Sequence, residues 1–372
     1  MVQDSRLSER RFMLRALKLA ERGRGRTRPN PVVGAVVVRA GRIVGEGWHA
    51  RLGAAHAEVM ALERAGTRAR GATMFVTLEP CAHIGRTPPC VDALLAAGIR
   101  RCVVAVRDPH RIVDGRGLKR LRRAGVKVEI GLGAPEVREQ LAGYLSVHTR
   151  RRPRVTWKVA ATLDGKIADA RGGSRWITSV AARRYAHRLR ARADVVVVGA
   201  GTVAADDPRL TARLPGVVRQ PLRLVCDARL RLPLTRRLFR SPLARGTVVA
   251  CGPGAPPARQ RALEARGVRV LRLPAPGGAV SPRALLRRLA AEGLQEVLLE
   301  GGARLGTSWM RAGMIDRLAL ATAPVVMGGE GLGWCGPLGR RRLGRALRGR
   351  VVERSVLGPD TLVVVDLESQ GD

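Results

Sequence analysis

Short valine-rich runs recur along the chain, separated by stretches with helical patterning, and this alternation limits the available folds more than any other feature. VVGAVVV (32–38), ATMFVTL (72–78), CVVAV (102–106) and VKVEI (126–130) read as strands, with HAEVMALERAG (56–66) and VDALLAAG (91–98) as helices between them. Such alternation points to an α/β sandwich with a mixed or parallel sheet. After the basic, proline-containing stretch SVHTRRRPRV (146–155), the pattern resumes. VTWKVAA (155–161), DVVVVGA (194–200), PLRLVCD (221–227), GTVVACG (246–252), EVLLEGG (296–302), RLALATAP (317–324) and TLVVVDL (361–367) read as strands. ARRYAHRLRARA (182–193) and ARLGTSWMRAGM (303–314) read as helices. Two domains are expected, 1–148 and 149–372, which suits a chain of 372 residues. Residues 228–292, rich in Arg, Pro, Gly and Ala, carry little readable chemistry.

Composition narrows the function classes. No apolar run is long enough to span a bilayer. The N-terminal stretch reads as an amphipathic helix, with Phe12, Leu14, Leu17 and Leu19 among basic residues, and lacks the pattern of a signal peptide. Six cysteines in a chain of this length do not form a disulfide framework, so a reducing cytoplasm is expected. The net charge of +38 would suit a nucleic-acid partner, but the chain holds 63 Arg against 5 Lys and a single Asn, the mark of a biased genome. The excess is spread over both halves, and aromatics are only 3%, too few for a base-stacking platform. Nucleic acid is therefore not the expected partner, whereas a phosphorylated small molecule would be attracted.

The chemistry-bearing motif is TLEPCAHIGRTPPC (77–90), preceded by His56-Ala57-Glu58. Zinc deaminases need three protein ligands and one open position for water, which His56, Cys81 and Cys90 can supply. The metal lowers the pKa of its water towards neutrality, and a carboxylate off the metal must carry protons, the role assigned to Glu58. Pro88-Pro89 before Cys90 suits a helix start, where the dipole favours an anionic sulfur. Eight residues separate Cys81 from Cys90, where nucleic-acid deaminases show P-C-x-x-C, so the intervening stretch is available for substrate contacts. In the second half, GGARLGTS (301–308) follows a strand and opens a helix, as a phosphate-binding turn would. No dinucleotide fingerprint opens that half.

RPNPVVGAVVV (28–38), GEGWH (45–49), HAE (56–58), EPCAHIGRTPPC (79–90) and RDPHRIVDGRG (107–117) resemble the deaminase half of the bacterial bifunctional riboflavin-biosynthesis deaminase–reductases. KVAATLDGKIA (158–168), SRWITS (174–179), GAGTVAADDPRLT (199–211), QPLRLVCD (220–227) and LLEGGARL (298–305) resemble the reductase half. The resemblance implies a cytidine-deaminase-like α/β/α domain followed by a dihydrofolate-reductase-like α/β domain. It also implies zinc and NADPH as cofactors and a phosphorylated pyrimidine as substrate, and a homo-oligomer is expected. It places Asn30, His49, His83, Arg86 and Asp108 around the pyrimidine and its phosphate. Ala160, Trp176, Thr202, Asp206 and the stretch Gly302, Ala303, Arg304, Leu305, Gly306, Thr307 and Ser308 would contact NADPH. Ser174, Arg190, Leu210, Arg213 and Glu300 would contact the ribosyl phosphate, with Lys158, one of the five lysines, a further candidate. Asp206 and Lys158 are the candidate acids for reduction. The chain departs from the family at His110, where Asn is usual. Two other readings compete: a free-nucleotide deaminase fused to a pteridine-type reductase, and an RNA-editing or nucleic-acid-binding protein.

Overall fold

The structure, a computed structural model, describes residues 2–85, 88–217 and 219–368, with side chains from Glu9 onward. The chain divides into two compact units, Met1–Arg151 and Arg152–Asp372. The expected boundary after residue 148 lies three residues earlier, inside a helix that continues to Arg150.

The first unit contains α1 (Val2–Ala20), β1 (Gly34–Arg39), β2 (Arg42–Trp48), α2 (Ala57–Ala65), β3 (Thr73–Leu78) and α3 (Cys90–Ala96). It continues through β4 (Arg101–Val106), α4 (Arg116–Arg123), β5 (Lys127–Ile130), α5 (Ala134–Gln140) and α6 (Ala142–Arg150). The sheet order is β2-β1-β3-β4-β5. β1 is antiparallel to both neighbours, and β3, β4 and β5 are parallel. The valine runs are continuous because both faces are covered. Ala35, Val37, Met74, Val76 and Val104 pack with Ala61, Val91, Leu94 and Leu121 from α2, α3 and α4. Val36, Val38, Phe75 and Val103 pack with Met13, Leu19, Val137 and Tyr144 from α1, α5 and α6.

Strand β2, absent from the sequence-based expectation, reads RIVGEGW and has weak strand character because of its two glycines. Both are needed for close packing. A Cβ at Gly45 would lie 2.1 Å from the Ala61 carbonyl oxygen, and one at Gly47 2.1 Å from that of Ala57, so α2 rests directly on the β2 backbone.

The second unit begins with β6 (Arg154–Thr162), β7 (Lys166–Ala168), α7 (Val180–Arg192), β8 (Val195–Gly199), α8 (Ala200–Asp206), β9 (Leu222–Cys226), β10 (Thr247–Cys251), α9 (Pro257–Glu264) and β11 (Arg269–Arg272). Then follow α10 (Pro282–Ala291), β12 (Glu296–Leu299), α11 (Ala303–Arg311), β13 (Arg317–Ala323), β14 (Leu332–Gly333), β15 (Gly349–Leu357) and β16 (Asp360–Leu367). Nine strands form one sheet, ordered β11-β10-β9-β8-β12-β6-β13-β16-β15, parallel except at β16 and β15. Trp157 and Val159 pack with Leu285, Leu289, Trp309 and Met310 on one face, while Val196, Val198, Val225 and Val249 pack with Val203 and Leu263 on the other. Gly306 lies against Trp157, whose ring would be 1.9 Å from an added Cβ. Among the described residues, no helix is long and apolar enough to cross a membrane.

Candidate active sites

Three segments of the first unit converge at one point. His56 is the N-cap residue of α2, Cys81 follows the end of β3, and Cys90 begins α3 directly after Pro89. Their ligand atoms all lie within 4.8 Å of one another. His56 Nδ1 is 3.1 Å from Cys90 Sγ and 3.6 Å from Cys81 Sγ. A tetrahedral zinc with ordinary Zn–N and Zn–S bonds separates its ligands by about 3.6 Å, so the three residues fit the ion.

The electrostatics set the two thiols apart: the hydrogen bond to Cys81, then burial, pushes the Cys90 thiol up. A hydrogen bond from Cys90, aided by His56 and the Cys90 amide, depresses the Cys81 thiol to about 4. The bond to Cys81 raises the His56 pKa in turn. Glu58 is 3% exposed. Burial, then the charge of Cys81, raises its pKa to about 7, where a carboxyl can both give and take a proton near neutrality.

A cavity of about 340 Å³ opens beside the clip and is lined by Asn30, His49, His83 and Asp108 as well as by His56, Glu58 and Cys81. His49 Nδ1 lies 3.2 Å from the Ala55 carbonyl, which can only accept, so Nδ1 carries the proton and Nε2 accepts from the Asn30 amide at 3.3 Å. Burial depresses the His49 pKa, consistent with this neutral form. The buried His83 Nδ1 has no hydrogen-bond partner among the described residues. Arg86 lies outside the described residues. Tyr144 and Glu79, which the sequence did not single out, also line this cavity. The Tyr144 hydroxyl donates to Asp108 at 2.9 Å, and the only available signal was scarcity, since the chain has two tyrosines. His110 reaches the same wall and stacks on His148 with ring centres 4.5 Å apart.

In the second unit the candidate residues gather where the parallel strands end, the usual binding edge of such sheets. Arg190 of α7 grips Glu300 through Nε and one terminal nitrogen, at 2.6 and 2.7 Å. Burial alone would raise the Glu300 pKa, but Arg190 and Lys158 outweigh it and hold the carboxylate below its ordinary value. Burial and Arg190 lower the Lys158 pKa. The Arg213 amide donates to His187 Nδ1 at 3.2 Å, placing Arg213 beside the same cluster. Ser174 donates to Asp206 at 3.4 Å, and Thr202 Oγ1 accepts from the Gly302 amide at 3.2 Å, linking α8 to the start of α11. Ala160 lies on β6, and Trp176 is 71% exposed beneath the Arg183 guanidinium.

Leu210, Ala303, Gly306 and Thr307 are buried, whereas Gly302, Arg304, Leu305 and Ser308 are exposed or half-buried. A cleft of about 940 Å³ at the ends of β9 and β10 was also missed by the sequence reading. It is lined by Arg229, Arg231 and Arg259 and, among the described residues, by no carboxylate. Its arginines come from the stretch that had shown no readable chemistry, and only folding brings them together.

A zinc deaminase unit followed by a reductase unit is the class these features define: a bifunctional deaminase–reductase. Residues 7–106 match the cytidine and deoxycytidylate deaminase zinc-binding region, and residues 153–363 match the RibD C-terminal domain. The chain belongs to the RibD family of riboflavin biosynthesis enzymes. It is 41% identical over 355 residues to the riboflavin biosynthesis protein RibD of Aquifex aeolicus, covering 95% of this chain and 97% of that one. For the Escherichia coli protein of the same name the identity is 39% over 366 residues, covering 94% and 96%. The solved structure of Acinetobacter baumannii RibD superposes with a TM-score of 0.87 at 36% identity, covering 98% and 99% of the two chains. That of a Thermotoga maritima diaminohydroxyphosphoribosylaminopyrimidine deaminase/5-amino-6-(5-phosphoribosylamino)uracil reductase gives 0.83 at 35%, with the same coverage. Both the α/β/α deaminase domain and the reductase domain expected from the sequence are thus present, as are the zinc and NADPH chemistries they use.

Proposed function

We propose that the first unit removes the exocyclic amine at position 2 of a 2,5-diamino-6-ribosylamino-4(3H)-pyrimidinone 5′-phosphate. The second unit then reduces the ribosyl group to ribityl. The observation that carries this reading is the convergence of His56, Cys81 and Cys90 beside the buried Glu58. Zinc held by the three ligands would supply a water acidic enough to act as a nucleophile near neutral pH. Glu58 holds a proton and passes it to the departing amine, so ammonia leaves while one water is consumed. Asn30, fixed by His49, offers its amide to the pyrimidine edge. His83 offers a ring nitrogen with no partner among the described residues, and Asp108, braced by Tyr144, offers a carboxylate. Arg86 is the assigned phosphate ligand.

For reduction, bound NADPH would supply the hydride for C1′, and Lys158 or Asp206 would give a proton to the opened ring oxygen. The start of α11 suits the cofactor's phosphates, with Gly302, Arg304, Leu305 and Ser308 beside Ala160, Trp176, Thr202 and Asp206. The arginine-lined cleft continues along the same sheet edge and suits the phosphate on the adenosine end. Ser174, Lys158, Arg190, Arg213, Glu300 and the Leu210 backbone line the side left for the sugar phosphate. We further assign residues 1–148 and 149–372 to the two activities, with the enzyme a cytoplasmic homo-oligomer. Incubating the zinc-loaded enzyme with the diaminopyrimidine phosphate tests the central reading. Ammonia should appear without NADPH and the ribityl product only with it. No ammonia from zinc-loaded enzyme would overturn the assignment.

A further inference from the structure

We propose that Glu79 is a positioning residue for deamination. Its carboxylate ties the segment 108–118, and with it Asp108, to the strand end that delivers the zinc ligand Cys81. This rests on the deaminase reading above.

Glu79 sits just past β3, two residues before Cys81, and is 4% exposed. Its backbone amide donates to the Val106 carbonyl at 3.0 Å, pairing the ends of β3 and β4. One side-chain oxygen accepts from the amides of Gly117 at 3.1 Å and Leu118 at 3.4 Å. The other accepts from Gly115 at 3.1 Å and Asp108 at 3.3 Å. Gly115, Gly117 and Leu118 form the start of α4, whose first amides have no partner within the helix. Gly115, the N-cap residue, has no side chain with which to cap them, so a carboxylate from another strand does so, aided by the helix dipole.

The fourth bond gives this cap its reach. By holding the Asp108 amide as well, one carboxylate fixes both ends of the segment that lines the cavity wall. Asp108 itself accepts from the His110 amide at 2.8 Å and from the Tyr144 hydroxyl at 2.9 Å. Its carboxylate is thereby oriented by His110, inside the segment that Glu79 ties, and by Tyr144 of α6. The strand end that delivers Cys81 and the Asp108 segment of the cavity wall share one anchor, and Glu79 acts through Asp108 rather than on the substrate.

Steady-state deamination by Glu79→Gln, with zinc content measured on the same samples, tests the proposal. The amide presents only one acceptor oxygen to the four N–H groups. Zinc should remain at the parental level, kcat should change by less than about 3-fold, and KM should rise by about 10-fold or more, the effect of one lost charge-assisted hydrogen bond. In an Asp108→Asn background the same change should add less than about 2-fold to KM, because the two residues act as one unit. Amide exchange at Asp108, Gly115, Gly117 and Leu118 should quicken in Glu79→Gln. Glu79→Asp, which keeps the charge but loses reach, should fall between and serves if the amide variant does not fold. An unchanged KM, with activity falling only as zinc or folded protein falls, would overturn the proposal, as would full additivity with Asp108→Asn. A zinc-loaded parent that releases no ammonia defeats the deaminase reading and this proposal with it. A parent that deaminates, with variants of unchanged KM, defeats this proposal alone.

Discussion

The two units place their chemistry in opposite ways. In the first, three side chains and one proton carrier come from two short stretches, 56–58 and 81–90, and converge on one point. In the second, the candidate residues are spread along the ends of β6, β8, β9, β10 and β12, and many act through backbone amides or a helix start. A metal needs few ligands with strict geometry, whereas a dinucleotide needs a long surface with many modest contacts. Loss of a zinc ligand or of the proton carrier in the first unit should therefore be near all-or-none, whereas single substitutions in the second should be graded.

The largest expected effect is Cys90→Ser. Zinc should be lost and ammonia release should fall below detection, while reduction of pre-deaminated substrate stays within about 2-fold, the units being separate cores. Equal loss of both activities in a folded variant would break the contrast. Next comes Glu58→Gln, which keeps the shape and removes the proton carrier. Metal analysis should find the zinc still bound, with deamination slower by about 10²-fold or more. Near-normal ammonia release would remove Glu58 from the chemistry.

Graded effects are expected in the reductase. Arg213→Ala should raise the sugar-phosphate KM, and Arg231→Ala the NADPH Kd measured by titration calorimetry, each by roughly 10- to 150-fold for one lost charge-assisted contact. Each should spare the other ligand. Crossed results would mean that the two ligands have been assigned to the wrong sides. The smallest effect on activity should come from Gly306→Ala, whose new methyl group meets Trp157. Overpacking of this kind costs about 1–3 kcal/mol. Calorimetric unfolding should show the second unit melting earlier and the first unchanged.

The same contrast explains what could be read in advance. Strands β1, β3, β4 and β8 were visible because valine runs covered on both faces leave a strong pattern, and the clip was visible because its ligands lie in compact motifs. Strand β2 was not, since Gly45 and Gly47 serve the helix above them rather than strand propensity. Glu79 stood inside the quoted motif, yet its role depends on a segment returning from 29 to 39 residues downstream. The reductase fold was named through resemblance, not spacing. The arginine cleft stayed hidden because its walls come from β9, β10 and the start of α9, which no local pattern joins.

The close seat of α2 on β2 has a consequence for how such an enzyme can diversify. With carbonyl oxygens of α2 2.1 Å from where side chains would begin at Gly45 and Gly47, strand and helix have no slack between them. They can be inherited or transplanted only as a pair, and the pair carries His56 and Glu58 at its rim. Drift in substrate range is thereby channelled elsewhere, into the eight positions between Cys81 and Cys90, where length and side chains can change without shifting the helix that aims the proton carrier. A designer wishing to retarget this catalyst would keep the β2–α2 cassette whole and rewrite that insert.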